Sequence, residues 1–133
     1  MIPSGSGFLS RDFVTAEQVS RTYRMNLEQC NVRGFSDKQE AMKQLIYKIL
    51  NTERYQYVIY SRNFGVELLD LFGESASYVM PEIKRRVTEA LTADSRITAC
   101  EGFEFKVSGR QIHTTFTAVT IFGNIPIEKA VNF

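Results

Sequence analysis

Residue types that carry out catalysis are present in this chain, but none of them forms a recognisable catalytic pattern. Asp and Glu together number 15, so pairs of acids arise by chance. Glycoside hydrolysis needs two carboxyls at a defined separation, one with a raised pKa, and no pair stands in such a setting. The acids near recognisable elements are explained as solvated strand or helix positions: Glu67, Asp70, Glu74, Glu101 and Glu104. The residues therefore favour a protein that is not an enzyme.

The residues that bind metals or act as nucleophiles also form no recognisable pattern. His113 is the only histidine, and it alternates out of phase with Ile112 and Phe116, which predicts that it faces solvent or a second layer. A lone histidine without a Cys or His cluster does not predict a zinc site. Cys30 and Cys100 are isolated and are expected to be reduced thiols. We expect no metal and no cofactor.

The charge balance excludes two classes of partner. The net charge of +1 predicts no strong attraction to nucleic acid or to an anionic membrane. Lys84, Arg85 and Arg86 form the densest basic cluster, but neighbouring residues fan out around a helix, which predicts a solvated face. No apolar run reaches the ~18 residues of a membrane span. We expect neither a nucleic-acid nor a membrane partner.

The chain of 133 residues fits one domain preceded by an arm. Residues 1–20 begin MIPSGSG and lack periodicity, so they are predicted to be either a disordered terminus or a segment that becomes ordered on a partner. The domain is predicted to span residues 21–133. It begins with a hairpin of two short strands, Thr22 to Asn26 and Asn31 to Arg33, which Gly34 closes.

Two helices and a further strand are predicted in the middle of the chain. Ser36 and Gln39 have the spacing of a capping box, followed by a helical stripe of Met42, Leu45, Ile46, Ile49 and Leu50. The aromatic and β-branched segment Tyr55 to Ser61 predicts a strand. After a turn at Asn63 to Gly65, a short helix is predicted from Val66 to Phe72, with Val66, Leu69 and Phe72 available to the core, and Gly73 ends it.

The second main helix is predicted from Val79 to Ala93, with Pro81 in its first turn. Its apolar face comprises Ile83, Val87, Ala90 and Leu91.

Three alternating segments end the chain and predict an antiparallel meander with one buried face. A hairpin at Ser108-Gly109 and a turn at Gly123-Asn124 connect them. The alternating apolar positions are Ile97, Ala99, Phe103, Phe105 and Val107, then Ile112, Thr114, Phe116 and Ala118, then Ile125, Ile127, Val131 and Phe133. Helices in the middle and strands at both ends predict a small α+β fold with two main helices and one short helix.

Two segments are candidates for contact with a partner. Asp94, Ser95 and Arg96 join the second helix to the meander, either as a simple connection or with Arg96 holding a partner carboxylate through its planar fork. The last strand contains Pro126, which cannot donate to a ladder and so marks a sheet edge. Lys129 lies on the otherwise apolar face of that strand.

From about Tyr23 to Phe133 the chain resembles the sheath-initiator, or baseplate wedge, family of contractile phage tails. The resemblance includes in particular the branch found in prophages and phage-like particles of Gram-positive bacteria. It rests on the order of three runs: AMKQLIYKILNTERYQYVIYSRNFGVELLDLFG, SYVMPEIKRRVTEALTADSRI and TTFTAVTIFGNIPIEKAVNF.

The resemblance implies a structural part of the inner baseplate, made in the bacterial host cytoplasm and present in several copies around a sixfold assembly. Such proteins bind the wedge core, lie close to the tail tube and hub, and start sheath polymerisation. Their terminal strands resemble part of the sheath subunit and join its intermolecular sheet. This implies a sheath contact along the last strand, through Ile125, Ile127, Glu128, Lys129, Val131 and Phe133.

The family also carries a Glu-Pro-Arg motif at a partner contact. Asp94, Ser95 and Arg96 stand at the matching place, which implies a wedge contact there, although the proline is missing. Because members of the family have been labelled lysozyme-like, a peptidoglycan-cleaving enzyme is the first alternative. A soluble adaptor of a bacterial regulator is the second.

Overall fold

Two antiparallel sheets and two helices make up residues 20–133, the part of the chain that the computed structural model describes. The strands β1 (Thr22–Asn26) and β2 (Asn31–Ser36) form a hairpin that leads into helix α1 (Lys38–Leu50). A 3-10 turn (Leu69–Leu71) and helix α2 (Ala76–Thr92) follow. Strands β3 (Ile97–Ser108), β4 (Gln111–Thr120) and β5 (Gly123–Asn132) complete the fold. The predicted α+β class is confirmed, and the predicted arm lies outside the described residues except for Ser20.

The meander forms a sheet with the order β3-β4-β5, so β3 and β5 are its two edges. The pairing of β4 with β5 runs without a bulge from Gln111 opposite Asn132 to Thr120 opposite Gly123. Helix α2 packs mainly on β3, whereas α1 lies beside β5. The predicted alternation is confirmed on β4, whose buried residues are Ile112, Thr114, Phe116, Ala118 and Thr120.

The start of α1 differs from the prediction. Ser36 is the last residue of β2 and is buried, while Asp37 caps the helix by accepting a hydrogen bond of 2.7 Å from the Lys38 backbone nitrogen. The Ser20 hydroxyl also donates to the Asp37 carboxylate, and this bond is the main cause of the lowered pKa of Asp37. The capping box of Ser36 and Gln39 was therefore wrong, and a carboxylate performs the same task.

Gly34 was predicted to end β2, but it belongs to a bulge inside that strand. Between the pairs Tyr23–Phe35 and Met25–Val32, β2 contributes one residue more than β1. Gly34 adopts a φ of 75°, which glycine reaches without steric cost.

The predicted strand Tyr55 to Ser61 is wrong. This segment is a loop of turns and bends, and its exposed side chains include Val58 and Ile59. The predicted helix from Val66 to Phe72 is reduced to the 3-10 turn Leu69–Leu71. Val66 and Leu71 are buried, but Leu69 and Phe72 are exposed, which contradicts their predicted place in the core.

Helix α2 begins three residues earlier than predicted, so Pro81 lies in its interior and not in its first turn. Pro81 cannot donate to the carbonyl of Ser77, and the helix tolerates this because both residues are exposed to water. The predicted apolar face is confirmed and includes Val79 as well. The hairpin turns fall at Gly109-Arg110 and Ile121-Phe122, each shifted from the predicted dipeptide.

Candidate functional site

The outer edge of β5 presents backbone groups to solvent. The backbone nitrogen of Phe133 donates to the carbonyl of Arg110 at 3.0 Å, which fixes the odd-numbered positions of β5 as those bonded to β4. The even-numbered positions therefore direct their N–H and C=O groups outward. One outward carbonyl, that of Asn124, accepts a bond of 3.4 Å from the Gln39 side chain. Pro126 also lies at an outward position, where its missing N–H leaves the ladder with β4 intact.

The side chains of the predicted sheath-binding residues mostly hold β5 in place. Three of them, Ile125, Val131 and Phe133, are buried, and Ile127 is half-buried on the same face. Glu128 is the one predicted residue whose backbone and side chain both face solvent. Of the three outward positions towards the end of β5, Glu128, Ala130 and Asn132, sequence reasoning missed the last two. The outward position of Pro126 was the signal that identifies them.

Lys129 occupies an unusual place on the inner face of β5. Its Nζ atom lies 2.8 Å from the Asn51 Oδ1 atom, just after the end of α1. Burial of the ammonium group lowers the pKa of Lys129. The bond ties the edge strand to the helical layer.

A groove runs along β5, and we call it the edge groove. One half lies between Pro126–Ala130 and the α1 residues Lys43 and Tyr47. The other half lies between residues 129–132 and an apolar wall of Tyr57, Leu69 and Phe72. The two halves adjoin each other, because they share four lining residues: Leu50, Asn51, Lys129 and Ala130. The exposed fractions of Leu69 and Phe72 are 64% and 72%, so the apolar wall is largely uncovered by residues 20–133.

The apolar wall is held in position by hydrogen bonds at its base. The Glu53 carboxylate accepts from the backbone nitrogens of Leu68 at 3.1 Å and Leu69 at 3.3 Å, capping the 3-10 turn. Arg86 Nη1 donates to the carbonyl of Glu67 at 2.8 Å and to the Asp70 carboxylate. The bond from Arg86 is the main cause of the lowered pKa of Asp70.

The prediction of a solvated face for Lys84, Arg85 and Arg86 is therefore wrong for Arg86. The Arg86 side chain is only 11% exposed, because it joins α2 to the segment that carries the wall.

Between α1 and the wall the chain forms a loop, residues 55–64, which we call the aromatic loop. Its base is closed by a bond of 3.0 Å from the Val66 nitrogen to the Thr52 carbonyl and by one of 3.3 Å from the Arg54 nitrogen to the Val66 carbonyl. The rings of Tyr60 and Phe64 stack with centroids 4.5 Å apart. The loop therefore has a fixed base, and its Tyr57 forms part of the apolar wall.

The other predicted contact, the corner of Asp94, Ser95 and Arg96, is satisfied within the chain. The Arg96 guanidinium binds the Asp94 carboxylate at 3.0 and 2.8 Å, and the Arg96 backbone nitrogen donates to the same carboxylate at 2.9 Å. These bonds lower the pKa of Asp94, with the guanidinium as the main cause. The Arg96 carbonyl accepts from the nitrogen of Ile121, which joins the corner to the sheet. Ser95 is exposed at its tip.

Comparison with known proteins identifies the family of this chain. Residues 14–123 match the model of the contractile injection system sheath initiator. The chain is also 36% identical, over 118 residues, to the phage-like element PBSX protein XkdS of Bacillus subtilis (strain 168), and the match covers 86% of this chain and 84% of that protein. This chain belongs to the sheath-initiator family. Its role is accordingly structural, in a contractile tail of the phage type.

The family match ends at residue 123, where β5 begins. The outer edge of β5 therefore lies beyond the residues that the family model matches, whereas the helical side of the edge groove lies within them. Within residues 20–133, no group of three or more His, Cys, Asp or Glu residues is placed to hold a metal ion. The same part of the chain contains no helix long and apolar enough to cross a membrane.

Proposed function

We propose that this sheath-initiator protein is a non-catalytic component of the inner baseplate that starts sheath polymerisation by accepting a strand of the sheath protein along β5. The observation that carries the proposal is the row of outward backbone groups at Glu128, Ala130 and Asn132. None of them bonds to another backbone group of residues 20–133. An open edge is normally a liability, because it pairs with any available strand. An edge retained in an assembly protein fits β-strand addition.

The energetics of this contact do not require a strongly charged surface. Each main-chain hydrogen bond contributes a net ~1 kcal/mol, so a short ladder alone gives modest affinity. Burial of the apolar wall would add to it. A chain with a net charge of +1 fits such a contact better than one driven by long-range attraction.

The wedge contact of the proposal lies at the corner of Asp94, Ser95 and Arg96. The corner leads into β3, which is the edge of the sheet opposite β5. A baseplate anchor at one edge leaves the other edge available for the sheath. In this arrangement several copies around the sixfold axis bind the wedge and lie near the tube and hub, within a virion or phage-like particle.

A proline at Ala130 tests the role of the β5 edge. Because the Ala130 nitrogen points outward, Ala130→Pro removes a donor from the edge and keeps the bonds to β4, as Pro126 already does. We expect complete baseplates with naked tubes in electron micrographs.

The matched control is a proline at the opposite edge. Ile121 bonds to Arg96 through an odd-numbered position, so β4 bonds to β3 through its odd residues, and Val107, opposite Ile112, points outward on β3. Particles built with Val107→Pro should carry full-length sheath. Full-length sheath on the Ala130→Pro particles would refute strand addition at β5.

A further inference from the structure

We infer that the edge groove selects the strand that it receives, and that it takes a strand with large apolar side chains at alternate positions on the side facing the helical layer. This inference rests on the proposed strand addition and adds the chemistry of the incoming segment. The edge of β5 provides the main-chain ladder, which is the same for any sequence. The opposite wall of the groove provides the discrimination.

The geometry of a sheet decides which side chains of the incoming strand meet the wall. A strand added to β5 lies about 4.8 Å beyond it, and its successive side chains point to opposite faces. One set continues the face that carries Ile127, Lys129 and Val131, which is the face turned towards α1. That set enters the groove and meets Tyr57, Leu69 and Phe72 at the end near Asn132. The other set points away from the helices into solvent.

The charges in this half of the groove are already engaged, which favours an uncharged occupant. Its lining contains two charged residues, Glu53 and Lys129. The Glu53 carboxylate accepts the backbone N–H groups of the 3-10 turn, and the Lys129 ammonium is bound to Asn51. An acidic or basic side chain entering here would lose its hydration without gaining a partner. An apolar side chain would cover Leu69 and Phe72 at no such cost.

The outward stretch from Glu128 to Asn132 also sets the length of the contact. Five residues span about 17 Å, so two or three side chains of the incoming strand reach the groove. Alternation over such a stretch is enough to distinguish one strand from another, because a shift by one residue turns every apolar side chain away from the wall.

Two synthetic peptides of equal composition, each flanked by lysines, test the inference. In one, Ile alternates with Thr, and in the other the Ile residues form one block. Binding is measured from the slowing of amide hydrogen exchange at Glu128, Ala130 and Asn132 in the full chain. We expect fast exchange at these amides in the free protein, protection by the alternating peptide, and at least tenfold weaker binding of the block peptide.

The matched variants are Leu69→Ser with Phe72→Ser, and as control Val58→Ser with Ile59→Ser. All four side chains are exposed, so both pairs should retain the unfolding midpoint of the wild type. The first pair removes the wall, and we expect it to weaken binding of the alternating peptide at least tenfold. The second pair alters the tip of the aromatic loop outside the groove, and we expect unchanged binding.

Equal binding of the two peptides, equal binding by the wall variant, or protection by neither peptide would overturn the inference. If the edge amides of the free protein are already protected from exchange, and this protection increases with protein concentration, the groove is assigned to a second copy of the chain. These outcomes are distinguishable from failure of the proposed function. If Ala130→Pro stops sheath growth while the wild-type protein binds both peptides alike, strand addition stands and selection fails.

Discussion

The edge of β5 and the corner of Asp94 to Arg96 are both candidate contacts, and they differ in how their polar groups are satisfied. At the edge, the outward groups of Ala130 and Asn132 have no backbone partner within residues 20–133, and the neighbouring wall is apolar and uncovered. At the corner, a two-bond ion pair and a backbone bond already satisfy the carboxylate of Asp94. A partner at the edge can gain hydrogen bonds without breaking any. A partner at the corner must use a geometry that the chain has already fixed.

In the proposed function, this difference separates two tasks, the growth of the sheath and the attachment to the baseplate. Growth of a polymer needs an end that the next subunit can complete, which an open edge provides. Attachment to a baseplate needs a rigid point whose side chains do not rearrange. Arg96 is held in place by Asp94, and a preorganised guanidinium loses less freedom when a partner binds it.

Among replacements near the β5 edge, we expect that of Gly65 to cause the largest loss in the free energy of unfolding. Gly65 adopts a φ of 96°, and a Cβ atom there would lie 2.6 Å from the Thr52 carbonyl oxygen. Gly65→Ala must therefore open the base of the aromatic loop and shift the wall. We expect a loss of about 3 kcal/mol or more in the free energy of unfolding, measured with urea.

Gly73→Ala is the control for backbone conformation alone. Gly73 has a similar φ of 90°, but a Cβ atom there meets nothing within 4 Å. Its replacement should cost about 1–2 kcal/mol. Equal losses for the two variants would show that the contact with Thr52 does not constrain the loop.

The C-terminal sheet could be predicted from the sequence because its signal is local and repeated. Ile112, Phe116 and Ala118 alternate with polar residues, and each strand finds its partner across a short turn. The same rule failed for Tyr55 to Ser61, whose aromatic and β-branched residues have strand propensity but no strand beside them. Propensity describes a side chain on a sheet, and it does not reveal whether a pairing partner exists.

The candidate site could also be predicted only in part from the sequence. The last strand and Pro126 identified an edge, but two residues of the wall opposite it, Leu69 and Phe72, were assigned to the core. Leu69 and Phe72 are apolar at helical spacing, which predicts burial. In the folded chain, Arg86 holds this segment through Glu67 and Asp70, with Leu71 buried and Leu69 and Phe72 exposed. No local pattern encodes a bond between residues so far apart in the chain.

At the corner of Asp94 to Arg96, we expect an intermediate loss of stability. Variants there also distinguish a contact within the chain from a contact with the wedge. The side chains of Asp94 and Arg96 are 22% and 14% exposed, so removing either breaks a mostly covered pair. Arg96→Ala and Asp94→Ala should each cost about 1–2 kcal/mol of stability. If Arg96 contacts the wedge, Arg96→Ala should also reduce incorporation into baseplates more than Asp94→Ala does. Equal incorporation of the two variants, measured by quantifying the protein in purified particles, would leave the pair a purely internal role.

The smallest effect concerns Lys129, which lies where the edge meets the helical layer. Burial lowers its pKa in the folded protein below the ordinary value of 10.5. Between the folded pKa and 10.5 this side chain binds more protons in the unfolded chain, so the contribution of Lys129 to the free energy of unfolding rises with pH through that window. Below the window the cost of the buried charge is constant.

Lys129→Met removes this titration, so we expect the stability of the variant to fall relative to that of the wild type as pH approaches 10.5. Lys43→Met, which alters an exposed lysine along the same groove, should keep the pH dependence of the wild type. Urea unfolding of the three proteins at neutral and alkaline pH measures the difference. Parallel curves for wild type and Lys129→Met would show that the ammonium is as well hydrated in the folded protein as in the unfolded chain. In that case the edge groove would be open to water down to its base, and an incoming strand would have to displace that water before it could reach the apolar wall.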